Sequence, residues 1–317
     1  MTADISVIAK QAERSLHPTT FRGWPALCLM QQRLRLTVVP AVGGRLMSIE
    51  YDGVELAYVN DDIAGELPDG SEAQWQRLCG AWSFPLWGGG KTWVSPESDW
   101  PDGAPHKVLD SGVYALVAAW CDERSMGVEL QSAVCPDSGL QIRRRISLDA
   151  ADNVWTTRHV LANKGTADIR CGIWDVLMLR RPGTVRVKLS GDSPDWRERI
   201  LPFVEKGPLG DARDSKYVVR ESDSLEVRCV DPIEFKIGVL PDHEVLVVTQ
   251  TLPEGCFTLT RRAEINSEPD YAHGRPVEIF NAPRLPYFEI ESHSPCIALT
   301  PNAECELVVQ ESVNRST

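Results

Sequence analysis

Residues able to move protons fall on one side of a short segment, Tyr287-Phe-Glu-Ile-Glu-Ser-His293. Alternate side chains of a strand point to opposite faces. Tyr287, Glu289, Glu291 and His293 therefore project together, while Phe288 and Ile290 face a core. Two carboxylates, an imidazole and a phenol in one row suit proton transfer to a hydroxylated ligand. A solvated strand face is the other account of the same row, because charged side chains mostly sit in water.

A second group lies in Leu86-Trp-Gly-Gly-Gly-Lys-Thr-Trp-Val-Ser-Pro-Glu97. Gly90-Lys91-Thr92 ends like a phosphate-binding loop, but Pro85 stands where that loop needs its first glycine. Pro96 and Pro101 also argue against the helix that must follow. What is left is a glycine hinge that would let backbone approach a ligand, a cation in Lys91, a carboxylate in Glu97, and Trp82, Trp87, Trp93 and Trp100 close together. Flat aromatic faces beside charged groups suit sugar rings, with their apolar faces and polar rims. The same tryptophans could instead be core or surface staples.

Other candidates are single residues. Arg45 follows a glycine corner in Pro40-Ala-Val-Gly-Gly-Arg45, where a hairpin with a solvated arginine reads equally well. His159 and Asp175 sit on strands among apolar neighbours, as satisfied buried polar groups also would. None of the six histidines has metal-pair spacing, and the nine cysteines include no C-x-x-C. No metal and no other cofactor is therefore expected. The cysteines read as buried free thiols of a reducing compartment, the cytoplasm by default.

These residues need a scaffold, and the chain points to an all-β one. Short alternating segments recur from Arg33 to Gln310, separated by turns such as Tyr51-Asp-Gly53, Pro136-Asp-Ser-Gly139 and Asn163-Lys-Gly165. Two helical stretches interrupt them. Ile5, Ile8, Ala9, Ala12 and Leu16 have helical spacing, predicting a short amphipathic lead-in within residues 1–25 before a single β domain over 26–317. Ser71-Glu-Ala-Gln74 reads as a capping box, with Gly80 stopping a helix expected to line or cover a site. The net charge of −12 argues against nucleic acid and an anionic membrane surface as partners. The longest apolar run, Val113–Cys121, is far short of the ~20 residues of a spanning helix. The first ten residues lack the basic and apolar regions of a signal peptide.

In order, Pro40–Tyr51, Gly88–Trp93, Asn163–Leu179 and Glu289–His293 before Leu299-Thr-Pro-Asn302 resemble the galactose mutarotase-like (aldose 1-epimerase) superfamily, in an uncharacterised bacterial branch. The resemblance spans roughly Leu34 to Gln310. It implies a β-supersandwich of mostly antiparallel sheets with a sugar-sized groove, a carbohydrate ligand and isomerase or epimerase activity. It also implies that Glu291 is the general base, and it matches Lys91 and Trp93 to a lysine and tryptophan after a Gly-Gly loop. Trp87 stands where such proteins have one histidine, and the second, their acid, falls on or beside Trp174. Asp175, His159 or His293 would then supply the acid, with Arg45, Lys91, Trp93, Asp175, Glu289 and Glu291 converging on one pocket. A non-catalytic sugar-binding protein, or a lyase using the same carboxylate, are the alternatives.

Overall fold

Apolar and polar residues alternate along most strands, and two antiparallel sheets close over the apolar sides. In Leu140–Asp149, for example, Leu140, Ile142, Ile146 and Leu148 are buried on the same side as Arg144, while Gln141, Arg143, Arg145 and Ser147 are more accessible. The structure is a computed structural model and describes residues 8–11, 14–150, 152–189, 194–205, 207–265 and 270–316. Within these, one sheet has 13 strands and the other 10. The larger carries the neighbouring strands Arg45–Tyr51, Gly90–Ser95, Ile169–Arg180, Tyr287–His293, Val277–Asn281 and Phe235–Val239, in that order. Between the sheets lies a continuous apolar core in which Ile173, Leu177, Phe288 and Ile290 share one cluster with Ile142, Val248 and Val309 of the smaller sheet. Burial of each such side chain contributes about 1.5–3 kcal/mol.

The all-β expectation holds, but the lead-in helix does not form. Ile8–Gln11 and Arg14–Phe21 are strands of the larger sheet, and the second pairs with Trp24–Gln31. Arg22 and Gly23, both at positive φ (47° and 95°), make the tight two-residue turn whose twist suits a hairpin. Sheet pairing thus overrides a helical spacing, two members of which, Ile5 and Ala12, lie outside the described residues.

The second expected helix forms at Glu72–Cys79. The Ser71 hydroxyl accepts from the Gln74 amide at 3.3 Å, and Gly80 ends the helix at φ 58°. The reciprocal half of the capping box is rearranged: Gln74 Oε1 accepts from the Asp69 amide, and Asp69 Oδ1 from the Ser71 amide. Among the described residues no helix is long and apolar enough to cross a membrane. All nine cysteines are unpaired, six of them buried.

Candidate functional site

The outward face of the larger sheet, turned away from the core, carries a dense group of buried charges and aromatic rings. Register explains its membership. Trp174 pairs with Trp93 on one side and with His293 on the other. Two residues on, Val176 pairs with Lys91 and Glu291, and Glu291 in turn with Glu278. Glu289 pairs with Phe280, which pairs with Lys236. Because strand side chains alternate, all of these share one face. Phe288, Ile290, Phe235 and Ile237 take the core face instead.

Glu291 is fully buried. Its Oε2 accepts from the Trp174 indole at 2.7 Å and from Lys236 Nζ at 3.0 Å, whereas Oε1 has no hydrogen-bond partner among the described residues. Lys236 Nζ lies 2.6 Å from Glu278 Oε2, so one ammonium bridges two carboxylates. Burial disfavours that ammonium, but the Glu291 and Glu278 charges outweigh burial and raise its pKa. The Glu291 carboxyl is pushed above the ordinary carboxylate range by burial, against Lys236 and with help from Glu278 and Glu289.

Lys91 Nζ sits 3.4 Å above the centre of the Trp93 ring and 3.6 Å from Glu289 Oε1. Burial lowers its pKa to about 8, against the pull of Glu289. His293 stacks on Trp174 at 5.2 Å, and its Nε2 lies 3.4 Å from Glu278 Oε1. His273, from the loop before Val277–Asn281, brings Nδ1 to 2.9 Å from that same oxygen. Phe84, Trp100 and Phe203 pack over the group, against Trp93, Trp174 and Lys236 respectively. A cavity of about 240 Å³ opens beside Phe280 and Tyr287, lined also by Trp82, Glu234 and Arg284.

Lys91, Trp93, Trp174, Glu289, Glu291 and His293 are thus brought together. Asp175 is not: it pairs with Thr92 and Ser292 and points between the sheets. There Oδ2 is bound by Arg261 and Oδ1 lies 3.3 Å from His159 Nε2. Burial alone would raise the Asp175 pKa, but Arg261, His159 and Arg144 outweigh it and hold it below the usual range. A carboxyl kept ionised in the interior cannot be the missing acid. His159 shares this inner network, hydrogen-bonded to Thr92 at 2.8 Å, and burial lowers its pKa to about 4 against the pull of Asp175. Glu311 completes the network, its two oxygens accepting from Arg261 at 2.9 Å and from the Trp155 indole at 2.8 Å.

Arg45 and Trp87 also have other duties. Arg45 donates to Asp110 Oδ1 at 2.7 Å, and that oxygen accepts from the Trp93 indole at 2.7 Å, so Arg45 supports Trp93 from one step away. Trp87 packs edge-on against Trp24 and donates to Ser111 Oγ. Glu97 is exposed on the turn Glu97–Asp99, outside the buried group. The glycines 88 and 89 approach backbone, not ligand space: a Cβ on Gly88 would lie 2.2 Å from Tyr58 O, and one on Gly89 2.6 Å from Leu46 O. The Glu72–Cys79 helix packs Leu78 beside Trp24 and Trp87, and Phe84 in the segment after it is what reaches the site.

Sequence reasoning missed Lys236, Glu278 and His273. The first two announce themselves as single charges in otherwise apolar strands, Phe235-Lys-Ile-Gly-Val239 and Val277-Glu-Ile-Phe280. His273 is a loop residue with no such signal. Among the described residues, two sets of side chains could hold a metal ion, His273–Glu278–His293 and His106–Cys135–Asp137.

No protein-family model and no curated protein sequence matches the chain. Solved structures do. A galactose mutarotase-like protein from Clostridium acetobutylicum superposes with a TM-score of 0.61 at 10% identity, over 96% of this chain and 100% of that one. A galactose 1-epimerase from Lactobacillus acidophilus gives 0.54 at 11% identity, over 98% of both chains. A putative aldose 1-epimerase from Escherichia coli K12 gives 0.53 at 11%, over 96% and 100%. At such identities the likeness is one of architecture, and the chain has the galactose mutarotase-like fold.

Proposed function

We propose that the protein is a carbohydrate-active isomerase or epimerase in which Glu291 is the general base. The observation that carries this reading is the state of the Glu291 carboxylate. One oxygen is fixed by Trp174 and Lys236, and the other is buried without a donor among the described residues. Leaving a buried acceptor unpaired costs about 1–3 kcal/mol, a cost that a ligand hydroxyl would remove. Aromatic faces at Trp93, Trp100 and Trp174 suit a sugar ring, and the names of the structural neighbours agree with that ligand class.

With Asp175 turned inward, Lys91 is the proton donor. It stands across Val176 from Glu291, and its pKa of about 8 suits proton transfer near neutrality. Glu291 takes the anomeric hydroxyl proton, the bond between the anomeric carbon and the ring oxygen breaks, and the ring oxygen takes a proton from Lys91. Closure on the opposite face returns both protons. A ring enters only when Phe84, Trp100 and Phe203 part.

A second reading has its own observation. Lys236 lies 3.0 Å from Glu291 and Lys91 3.6 Å from the neighbouring Glu289, two cations of the kind a lyase would use to stabilise an enolate after abstracting a carbon-bound proton. Incubation with free aldoses and uronic acids in deuterated water, followed by NMR, separates the readings. Accelerated anomer exchange without deuterium on carbon is the expected result, lost in Glu291→Gln. Deuterium on carbon, or an unsaturated product, selects the lyase. Saturable binding without either selects a binding protein.

A further inference from the structure

We propose that His273, Glu278 and His293 form a binding site for one divalent first-row transition-metal ion of the zinc class. This goes beyond the isomerase reading and does not depend on it. Three donors converge on one point: His273 Nδ1 and His293 Nε2 lie 2.9 and 3.4 Å from Glu278 Oε1, and all three atoms fall within 4.8 Å of one another. Tetrahedral zinc with ligands about 2.0–2.2 Å away holds neighbouring ligand atoms about 3.3–3.5 Å apart, so small shifts would admit the ion. Two imidazoles and one carboxylate are a donor set that suits zinc and its neighbours, and three protein ligands leave a further position open.

The second observation is that, among the described residues, His293 is unsatisfied, while His273 Nδ1 is held only by Glu278 Oε1. His293 is buried with neither ring nitrogen hydrogen-bonded among the described residues, and His273 Nε2 is likewise without a partner. Two imidazoles turned toward one carboxylate oxygen compete for it in the absence of an ion, whereas an ion between them would accept a lone pair from each of the three atoms. Glu278 is arranged for single-oxygen ligation, because Lys236 occupies Oε2 and leaves Oε1 to the histidines. Trp174 orients both rings, stacked on His293 at 5.2 Å and edge-on to His273 at 4.8 Å. Charge also permits a cation: among the described residues, the Lys or Arg ion-pair partners of Glu278, Glu289 and Glu291 are Lys91 and Lys236. Residue spacing offers no hint of this site, because one donor comes from a loop and the other two from adjacent strands.

The test uses the full chain, stripped with a chelator and titrated with Zn(II) by calorimetry and with Co(II) by visible absorption. One equivalent is expected to bind, with the intense visible bands of a four-coordinate cobalt site. His273→Ala and Glu278→Gln should each weaken binding at least about tenfold, the scale on which even outer-shell partners act. His106→Ala, in the other possible cluster, should leave binding unchanged. His273 lies in a loop, so its variant keeps the test valid if substitutions within the strands disturb folding. Absence of stoichiometric binding by the wild type, binding indifferent to His273→Ala, or binding lost with His106→Ala would each overturn the assignment.

Discussion

Trp174 and Asp175 are neighbours on one strand, yet they belong to two polar groups built on different rules. Asp175 faces inward, where Arg261 binds one of its oxygens and His159 Nε2 lies 3.3 Å from the other, while both oxygens of Glu311 accept, from Arg261 and from the Trp155 indole. Trp174 faces outward, where it holds one oxygen of Glu291 and leaves the other without a donor. The inner group joins the two sheets through Arg261, which bridges Asp175 and Glu311. The outer group is incomplete in the way that a site awaiting a ligand must be. Both groups are buried, so burial does not mark the functional one; the unpartnered Glu291 oxygen, set among charges and aromatic rings, does.

The comparison breaks most visibly at Glu291. Glu291→Gln should lower turnover of a proven sugar substrate by about 10²–10⁴-fold, with unfolding in urea changed by less than about 1 kcal/mol. A variant that unfolds early while keeping its turnover per folded molecule would reverse the roles assigned to the two groups.

Arg261→Met should do the opposite. It removes the cation that binds both Asp175 and Glu311 in the interior, so about 3–5 kcal/mol of stability should be lost in denaturant titrations. Stability within 1 kcal/mol of wild type would show that the inner network does not join the sheets.

Acid sharpens the contrast. His159 has its pKa lowered from 6.5 to about 4 by burial, so the unfolded chain takes up a proton at higher pH than the folded one. Its contribution is present above pH 6.5 and is lost as pH falls toward 4, by roughly 3 kcal/mol at about 1.4 kcal/mol per pH unit. Asp175, also lowered, adds a loss below the ordinary aspartate range, in the same direction. Stability curves of His159→Gln between pH 7 and 4 should be flatter than those of the wild type. An unchanged slope would place the acid sensitivity elsewhere.

The smallest effect belongs to a residue outside both groups. Glu97→Ala should alter stability by no more than about 0.5 kcal/mol and leave turnover unchanged. A measurable loss of sugar affinity would bring the exposed turn back into the site.

Parity separates what was legible in the sequence from what was not. Alternation in Tyr287–His293 places Glu289, Glu291 and His293 together and sends Phe288 and Ile290 to the core, as the coordinates show. The same rule applied across strands would have excluded Asp175, but it requires knowing that Trp174, and not Asp175, pairs with His293. Register of that kind is a property of two distant segments. Lys236 and Glu278 were readable as lone charges in apolar strands, whereas His273 depends on where a loop lies. At the other end, the lead-in spacing obeyed a helical period while the Arg22-Gly23 turn favoured a hairpin. A local period of a few residues yields when a sheet edge offers backbone partners.

The tight passage of Gly88 and Gly89 bears on how such chains can be sorted. Those glycines are demanded by the carbonyls of Tyr58 and Leu46, whatever ligand the protein takes. As a diagnostic in other sequences, a Gly-Gly pair at this place reports architecture and is silent on activity. A classifier of chemistry should weigh positions 236, 273, 278 and 291, where a change of side chain alters the site while the backbone keeps its course.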